Sequence, residues 1–96
     1  LGKLKFSDGR KYVGNFKNGL YNGFGFENMN YEINGKLNNK QFSYFGLFTN
    51  GLKNIYGKYY WKDIDLQYIG QFSNGFINGL GKLKFSDGRK YVGNFK

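Results

Sequence analysis

Cysteine, histidine and proline are absent from the 96 residues. Without cysteine there is no disulfide framework and no thiolate nucleophile, and without histidine the commonest zinc ligand and general base are missing. No apolar run approaches the roughly 18 residues of a membrane span, and the N-terminus lacks a signal-like apolar stretch. A soluble, cytoplasmic chain is expected. Acidic residues are scarce: six Asp and Glu against fifteen Lys and Arg leave a net charge of +9. That balance favours an acidic protein, nucleic acid or an anionic membrane surface as partner. The excess of Asn, Lys, Ile and Tyr also fits the coding bias of an AT-rich genome.

What the chain does have is glycine and aromatics, with 16 Gly and 22% Phe, Tyr and Trp. Such aromatic content argues for a folded core despite a mean hydropathy of -0.64. A chain this short makes one domain and buries about 60 to 70% of its unfolded-state surface. A large enclosed active site is not expected.

Self-similarity organises the rest. Leu1 to Lys17 (LGKLKFSDGRKYVGNFK) recurs unchanged as Leu80 to Lys96. A shorter pattern, Y-x-G-x-F-x-N-G, begins at Tyr12, Tyr44 and Tyr68, and a truncated copy begins at Tyr91. The leading tyrosines are 32, 24 and 23 residues apart, in the range of solenoid repeats. One array over 1–96 is expected, with units near 1–11 (partial), 12–43 (carrying an insertion), 44–67, 68–90 and 91–96 (partial). Both ends interrupt a repeat, so the chain reads as a window on a longer array.

Alternation decides the local structure. Leu83 and Phe85, then Tyr91, Gly93 and Phe95, fall on one side at period two, the signature of a strand. Asp8-Gly9 and Asp87-Gly88 supply tight turns. The Asn-Gly pairs 18–19, 50–51 and 74–75 then reverse the chain into the next hairpin. Sixteen glycines make helix improbable at about 1 kcal/mol each relative to Ala. The predicted fold is all-β, a single-layer antiparallel sheet of consecutive β-hairpins, solenoid-like.

Catalytic chemistry has few candidates. Asp8 and Asp87 sit in turns, where Asp is wanted for local hydrogen bonds, and Asp63 and Asp65 belong to a variant turn. Ser7, Ser43, Ser73 and Ser86 have no histidine to activate them and lie in no strand-to-helix elbow. The glycine pairs lack the G-K-[ST] ending and following helix of a phosphate loop. No enzyme activity, no cofactor and no metal site are expected.

The Y-x-G-x-F-x-N-G motif followed by G-x-G resembles the MORN repeat, the "membrane occupation and recognition nexus" motif. The resemblance covers nearly the whole chain and places the family's aromatics on Tyr12, Phe16, Tyr44, Phe48, Tyr68, Phe72, Tyr91 and Phe95. Its structural glycines fall on Gly14, Gly46, Gly70 and Gly93, with turn glycines at Gly19, Gly51 and Gly75. Three departures stand out. Residues 26–43 are some nine positions too long, Trp61 to Leu66 lacks a turn glycine, and Ile55 replaces the first glycine of G-x-G. Longer or bulged hairpins are expected at the first two. The resemblance implies a scaffold or interaction module, in settings that include ciliary and cytoskeletal scaffolds, membrane junctions and segments attached to lipid kinases or methyltransferases.

Two surfaces compete for function. The aromatics above would line a face docking a peptide, a helix or a second array, and homo-oligomers would form by head-to-tail stacking. Parity sends Lys3, Lys5, Lys11 and Lys17, with Lys82, Lys84, Lys90 and Lys96, to the opposite face, which alternatively binds anionic phospholipid. Lys58 and Lys62 continue it sparsely. Nucleic acid is disfavoured because lysines and aromatics would lie on opposite faces, whereas single-strand binders need both in one groove.

Overall fold

The computed structural model describes residues 1–7, 9–29 and 41–96, together with the backbone of 32–33 and 36–37. Its elements are strands: β1 (Gly2–Lys5), β2 (Arg10–Lys17), β3 (Leu20–Met29), β4 (Glu32–Ile33), β5 (Lys36–Leu37), β6 (Phe42–Thr49), β7 (Leu52–Trp61), β8 (Leu66–Ser73), β9 (Phe76–Lys84) and β10 (Lys90–Phe95). Eight of them form one antiparallel sheet in the order β1-β2-β3-β6-β7-β8-β9-β10, and β4 pairs with β5 inside the insertion. Apart from β3, which pairs with β6 across the insertion, sequence neighbours in this sheet are sheet neighbours, because each short turn leaves the next strand nowhere else to pair. Among the described residues there is no helix.

The turns follow their residues. At Asn18-Gly19, Asn50-Gly51 and Asn74-Gly75 both positions have positive φ, near 50° for Asn and between 78° and 90° for Gly. This is the type I′ turn, whose twist matches the strands it joins. The Gly51 and Gly75 amides also donate to the Tyr21 and Lys53 carbonyls of the preceding repeat, at 2.9 and 2.8 Å. The turns thereby tie repeat to repeat. Asp8 lies outside the described residues, while Gly9 and Gly88 adopt φ of 98° and 92°.

Bulges also occur where no departure marks them: the three strands with a complete Y-x-G-x-F-x-N-G motif each shift register once, between Gly14 and Phe16, Gly46 and Phe48, and Gly70 and Phe72. The β7–β8 hairpin closes without glycine because Asp65 takes φ 49°, a conformation Asp tolerates better than most residues. Beside the insertion, β3 and β6 stay paired from Gly23↔Phe48 to Met29↔Phe42.

Candidate interaction surface

One face of the sheet is an aromatic ladder. In spatial order Phe16, Tyr12, Phe48, Tyr44, Phe72, Tyr68, Phe95 and Tyr91 touch edge to face, every centroid pair between 5.0 and 5.3 Å. Alternate contacts cross from one repeat to the next, as Tyr12 to Phe48, Tyr44 to Phe72 and Tyr68 to Phe95. Such geometry suits the aromatic quadrupole and adds about 0.5 to 1.5 kcal/mol per pair beyond area burial. The ladder is thus the adhesive between repeats.

Glycine makes room for it. Gly14 pairs with Gly25, Gly46 with Gly57 and Gly70 with Gly81. A Cβ on Gly14, Gly46 or Gly70 would stand 2.5 Å from the partner glycine's Cα, and one on Gly25, Gly57 or Gly81 would enter a tyrosine ring. Each ring therefore lies flat on a bare two-glycine floor. Its hydroxyl donates to the bulged residue's carbonyl: Tyr12 to Asn15 at 2.7 Å, Tyr44 to Leu47 at 2.9 Å and Tyr68 to Gln71 at 2.8 Å. Burial pushes the phenol pKa of Tyr12, Tyr44 and Tyr68 up, with the charge of Glu27 adding to Tyr12. Tyr59 is pushed up to about 12 by burial, then by Glu27.

The middle of this face carries an ion pair. Glu27 occupies the register position held by Leu83 in the last repeat, and Lys53 that of Ile77. Lys53 Nζ lies 3.6 Å from Glu27 Oε1 and 5.5 to 5.7 Å from the ring centres of Phe42, Tyr44 and Tyr59. Two opposite charges thus stand at positions that are apolar in the last repeat, and the ammonium keeps ring contact as a cation–π pair. Pattern reading passed over this pair; both charges fall on ladder-side positions, which was the available signal.

All eight aromatics anticipated for docking are brought together, but chiefly onto one another. Tyr12, Tyr44 and Tyr68 have no exposed surface, and Phe48 and Phe72 have 5% or less. Only Phe16 and Phe95, in part, and Tyr91, 49% exposed, show surface at the ends of the ladder. The rings' first role is the core.

The opposite face is both basic and apolar. Lys3, Lys5, Lys11, Lys17, Lys58, Lys82, Lys84, Lys90 and Lys96 are exposed there. So are Val13, Phe24, Phe26, Phe45, Tyr56, Leu80 and Val92, with Phe24 and Leu80 about 60% exposed. Cross-strand register runs Lys3, Val13, Phe26, Phe45, Lys58, Ile69, Lys82, Val92 in one unbroken row. The expected separation of lysines from aromatics therefore does not hold: Lys53 reaches the Tyr44 ring on the ladder face, and aromatics stand beside the lysines on this one. Phe24, Phe26 and Phe45 sit at lysine-parity positions that a search for the motif skips.

Basins map this face into three zones. A hollow of about 200 Å³ is lined by Lys58, Gln67, Ile69, Lys82, Lys84 and Lys90. Another of about 280 Å³ lies at the far end between Lys3, Lys5, Lys11 and Val13. Between them Phe26, Phe45 and Tyr60 flank an apolar depression that Lys58 borders. One acidic side chain borders them: Asp65, in the β7–β8 turn, accepts from the Tyr60 hydroxyl at 2.9 Å and shares a further hollow with Gln67 and Lys84.

The motif behind this geometry is matched by the MORN repeat family model over residues 12–27, 44–63 and 68–88, more than half of the chain. The chain belongs to the MORN repeat family. No curated protein matches it. Each matched MORN segment opens on a ladder tyrosine, and the part-repeat from Tyr91 lies beyond them. MORN repeats are non-enzymatic modules associated with protein or membrane-lipid interaction. Among the described residues no helix is long and apolar enough to cross a membrane, and no three His, Cys, Asp or Glu side chains cluster to hold a metal.

Proposed function

We propose that this MORN array is a non-enzymatic docking module whose lysine-bearing face lies against an anionic phospholipid surface. The observation that carries the proposal is the coexistence, on one side of a thin slab about 19 Å deep, of two lysine basins and an exposed aromatic centre. Lysines near an anionic surface contribute about 1 kcal/mol each. Phe24, Phe45 and Leu80 add apolar contact at the headgroup boundary, where amphipathic peripheral surfaces seat their apolar side. The ladder face is a weaker candidate for a partner because its tyrosines are consumed by repeat packing.

Co-sedimentation with neutral and anionic vesicles, at low and at physiological salt, tests this. Binding to anionic vesicles alone, weakened but not abolished by salt, is expected, with Lys82→Glu/Lys84→Glu and Phe24→Ser/Phe45→Ser each reducing it in a still-folded protein. Screening acts on the lysine contribution and leaves the apolar one. No vesicle binding at either salt would overturn the membrane reading and turn attention to an acidic protein segment. Tight binding of single-stranded nucleic acid instead would identify Phe24, Phe26 and Phe45 as stacking platforms.

A further inference from the structure

The rings of the ladder are spent on one another, but a second aromatic group stands beside it at positions outside the motif. Phe42 lies two residues before the ladder tyrosine of its strand, where the other repeats carry Arg10, Leu66 and Arg89. Tyr59 and Trp61 lie two and four residues past Gly57, where the flanking repeats carry Glu27 and Met29, or Leu83 and Phe85. The central repeat alone is aromatic at all three positions.

Phe42 stacks on Tyr59, with centroids 5.2 Å apart and planes 10° from parallel, and Tyr59 tilts against Trp61 at 4.5 Å and 46°. The β7–β8 turn brings Asp63 to the same place, and the Lys62 amide ties that turn to the Gln41 carbonyl at 3.1 Å. The result is a hollow of about 410 Å³ walled by the three half-buried rings, with Gln41 and Asp63 beside them. That size falls within the roughly 300 to 1,000 Å³ of small-ligand pockets. The strands that supply the rings, β6 and β7, each have a sheet partner on both sides.

Its chemistry is unlike that of the lysine-lined hollows. No lysine or arginine is among the described residues that line it. The rings present negative π faces, Asp63 adds a carboxylate, and the Gln41 side-chain nitrogen is buried without a hydrogen-bond partner. Phe42 and Tyr59 already hold the Lys53 ammonium, at 5.6 and 5.7 Å, where Glu27 balances its charge. A primary ammonium is strongly hydrated and needs partners for its three N–H groups. A quaternary ammonium has no N–H to satisfy and turns methyl groups to the rings, which is the use aromatic cages are put to.

We propose that this hollow binds the trimethylammonium group of a trimethylated lysine on a partner protein. Three rings and Asp63 take the cation, and Gln41 offers its unpaired N–H to a peptide carbonyl of the same partner. The hollow packs against the ladder core, on the face opposite the lysines that meet the membrane, so a protein side chain reaches it where a choline lipid does not. That choice of source rests on the membrane reading; the choice of a quaternary cation does not.

Trp61 is the only tryptophan, so its fluorescence reports on the hollow in the full chain. The probes are capped tripeptides with glycine on either side of trimethyllysine, of unmodified lysine, or of the neutral carbon analogue that ends in a tert-butyl group. Saturable binding of the trimethyllysine peptide is expected, about tenfold tighter than the carbon analogue, as a desolvated cation over aromatic rings provides. Asp63→Asn, at an exposed position, is expected to weaken it about threefold with the thermal midpoint unchanged. Phe42→Leu/Tyr59→Leu, which installs the residues found at Leu66 and Leu83, is expected to remove the preference over the analogue. Vesicle co-sedimentation through the lysine face is a separate readout, so failure of the membrane reading leaves this titration standing. Equal binding of the trimethyllysine peptide and its carbon analogue overturns the proposal, because the hollow is then only apolar. So do the lack of any saturable response and a preference for phosphatidylcholine vesicles over the peptide, which assigns the hollow to lipid.

Discussion

Ile55 stands where the flanking repeats have Gly23 and Gly79, and it adopts their backbone, with φ 76° against 87° and 100°. A β-branched residue in this region is a strained outlier, at a cost of about 1 to 3 kcal/mol. Replacing it with Gly removes the strain but forfeits two terms. The side chain is 60% exposed, so about 1 kcal/mol of burial is lost, and Gly costs roughly 0.5 to 1 kcal/mol in unfolded-chain entropy. The sum lies near zero, which makes Ile55→Gly alone a poor test. Comparison with Ile55→Ala is better, since both variants lose the burial and only the alanine keeps a Cβ. A left-handed Cβ costs about 1 to 2 kcal/mol, so Ile55→Gly is expected to be more stable than Ile55→Ala by about 1 kcal/mol or somewhat less after the entropy term. At Val13, in an ordinary strand, the order reverses, with Val13→Gly about 0.5 to 1 kcal/mol below Val13→Ala. Thermal melts followed by circular dichroism resolve this, since 1 kcal/mol moves the midpoint of a domain this size by about 4 to 8 °C. Equal or greater stability of the Ile55→Ala variant would refute the reading of Ile55 as strained.

Gly57→Ala drives a Cβ into the Tyr44 ring, an overpacking expected to cost about 1 to 3 kcal/mol in urea melts; a neutral effect would show that the glycine floor is not required. Lys53→Met leaves the buried Glu27 without its counter-charge and is expected to cost about 3 kcal/mol. The double variant Glu27→Leu/Lys53→Ile, which installs the residues of the last repeat, should recover most of that loss, and failure to recover would separate the pair from the repeat logic. Alkaline titration gives a further check. The raised phenol pKa of Tyr44 and Tyr68, and that of Tyr59 near 12, mean that the folded state holds these protons more tightly than the unfolded chain. Their stabilising contribution is complete below the ordinary tyrosine value near 10 and is lost as pH climbs through the folded values. Phenolate absorbance should therefore lag behind that of the urea-unfolded protein and rise together with the loss of circular dichroism. An unfolding midpoint independent of pH between about 9 and 12 would contradict it.

Period-two alternation, the Asn-Gly turns and the spacing of the tyrosines determined the strands, their order and the single sheet, because these are local signals that recur with each repeat. Alternation likewise separated Tyr12, Phe16 and their equivalents from Lys3, Lys5, Lys11 and theirs. The regular bulge after Gly14, Gly46 and Gly70 was not legible, since its cause is the fit of a tyrosine ring over a cross-strand glycine pair. Asp65 in place of a turn glycine was likewise a matter of backbone φ, on which residue type sets only a preference. Only the packed sheet decided what the two faces offer. Rings from adjacent repeats meet within 5.3 Å and bury one another, so the motif aromatics became core. Phe24, Phe26 and Phe45, outside the motif, have no second layer over them among the described residues and stay exposed beside the lysines, because a residue's burial depends on what other strands bring to it across the sheet.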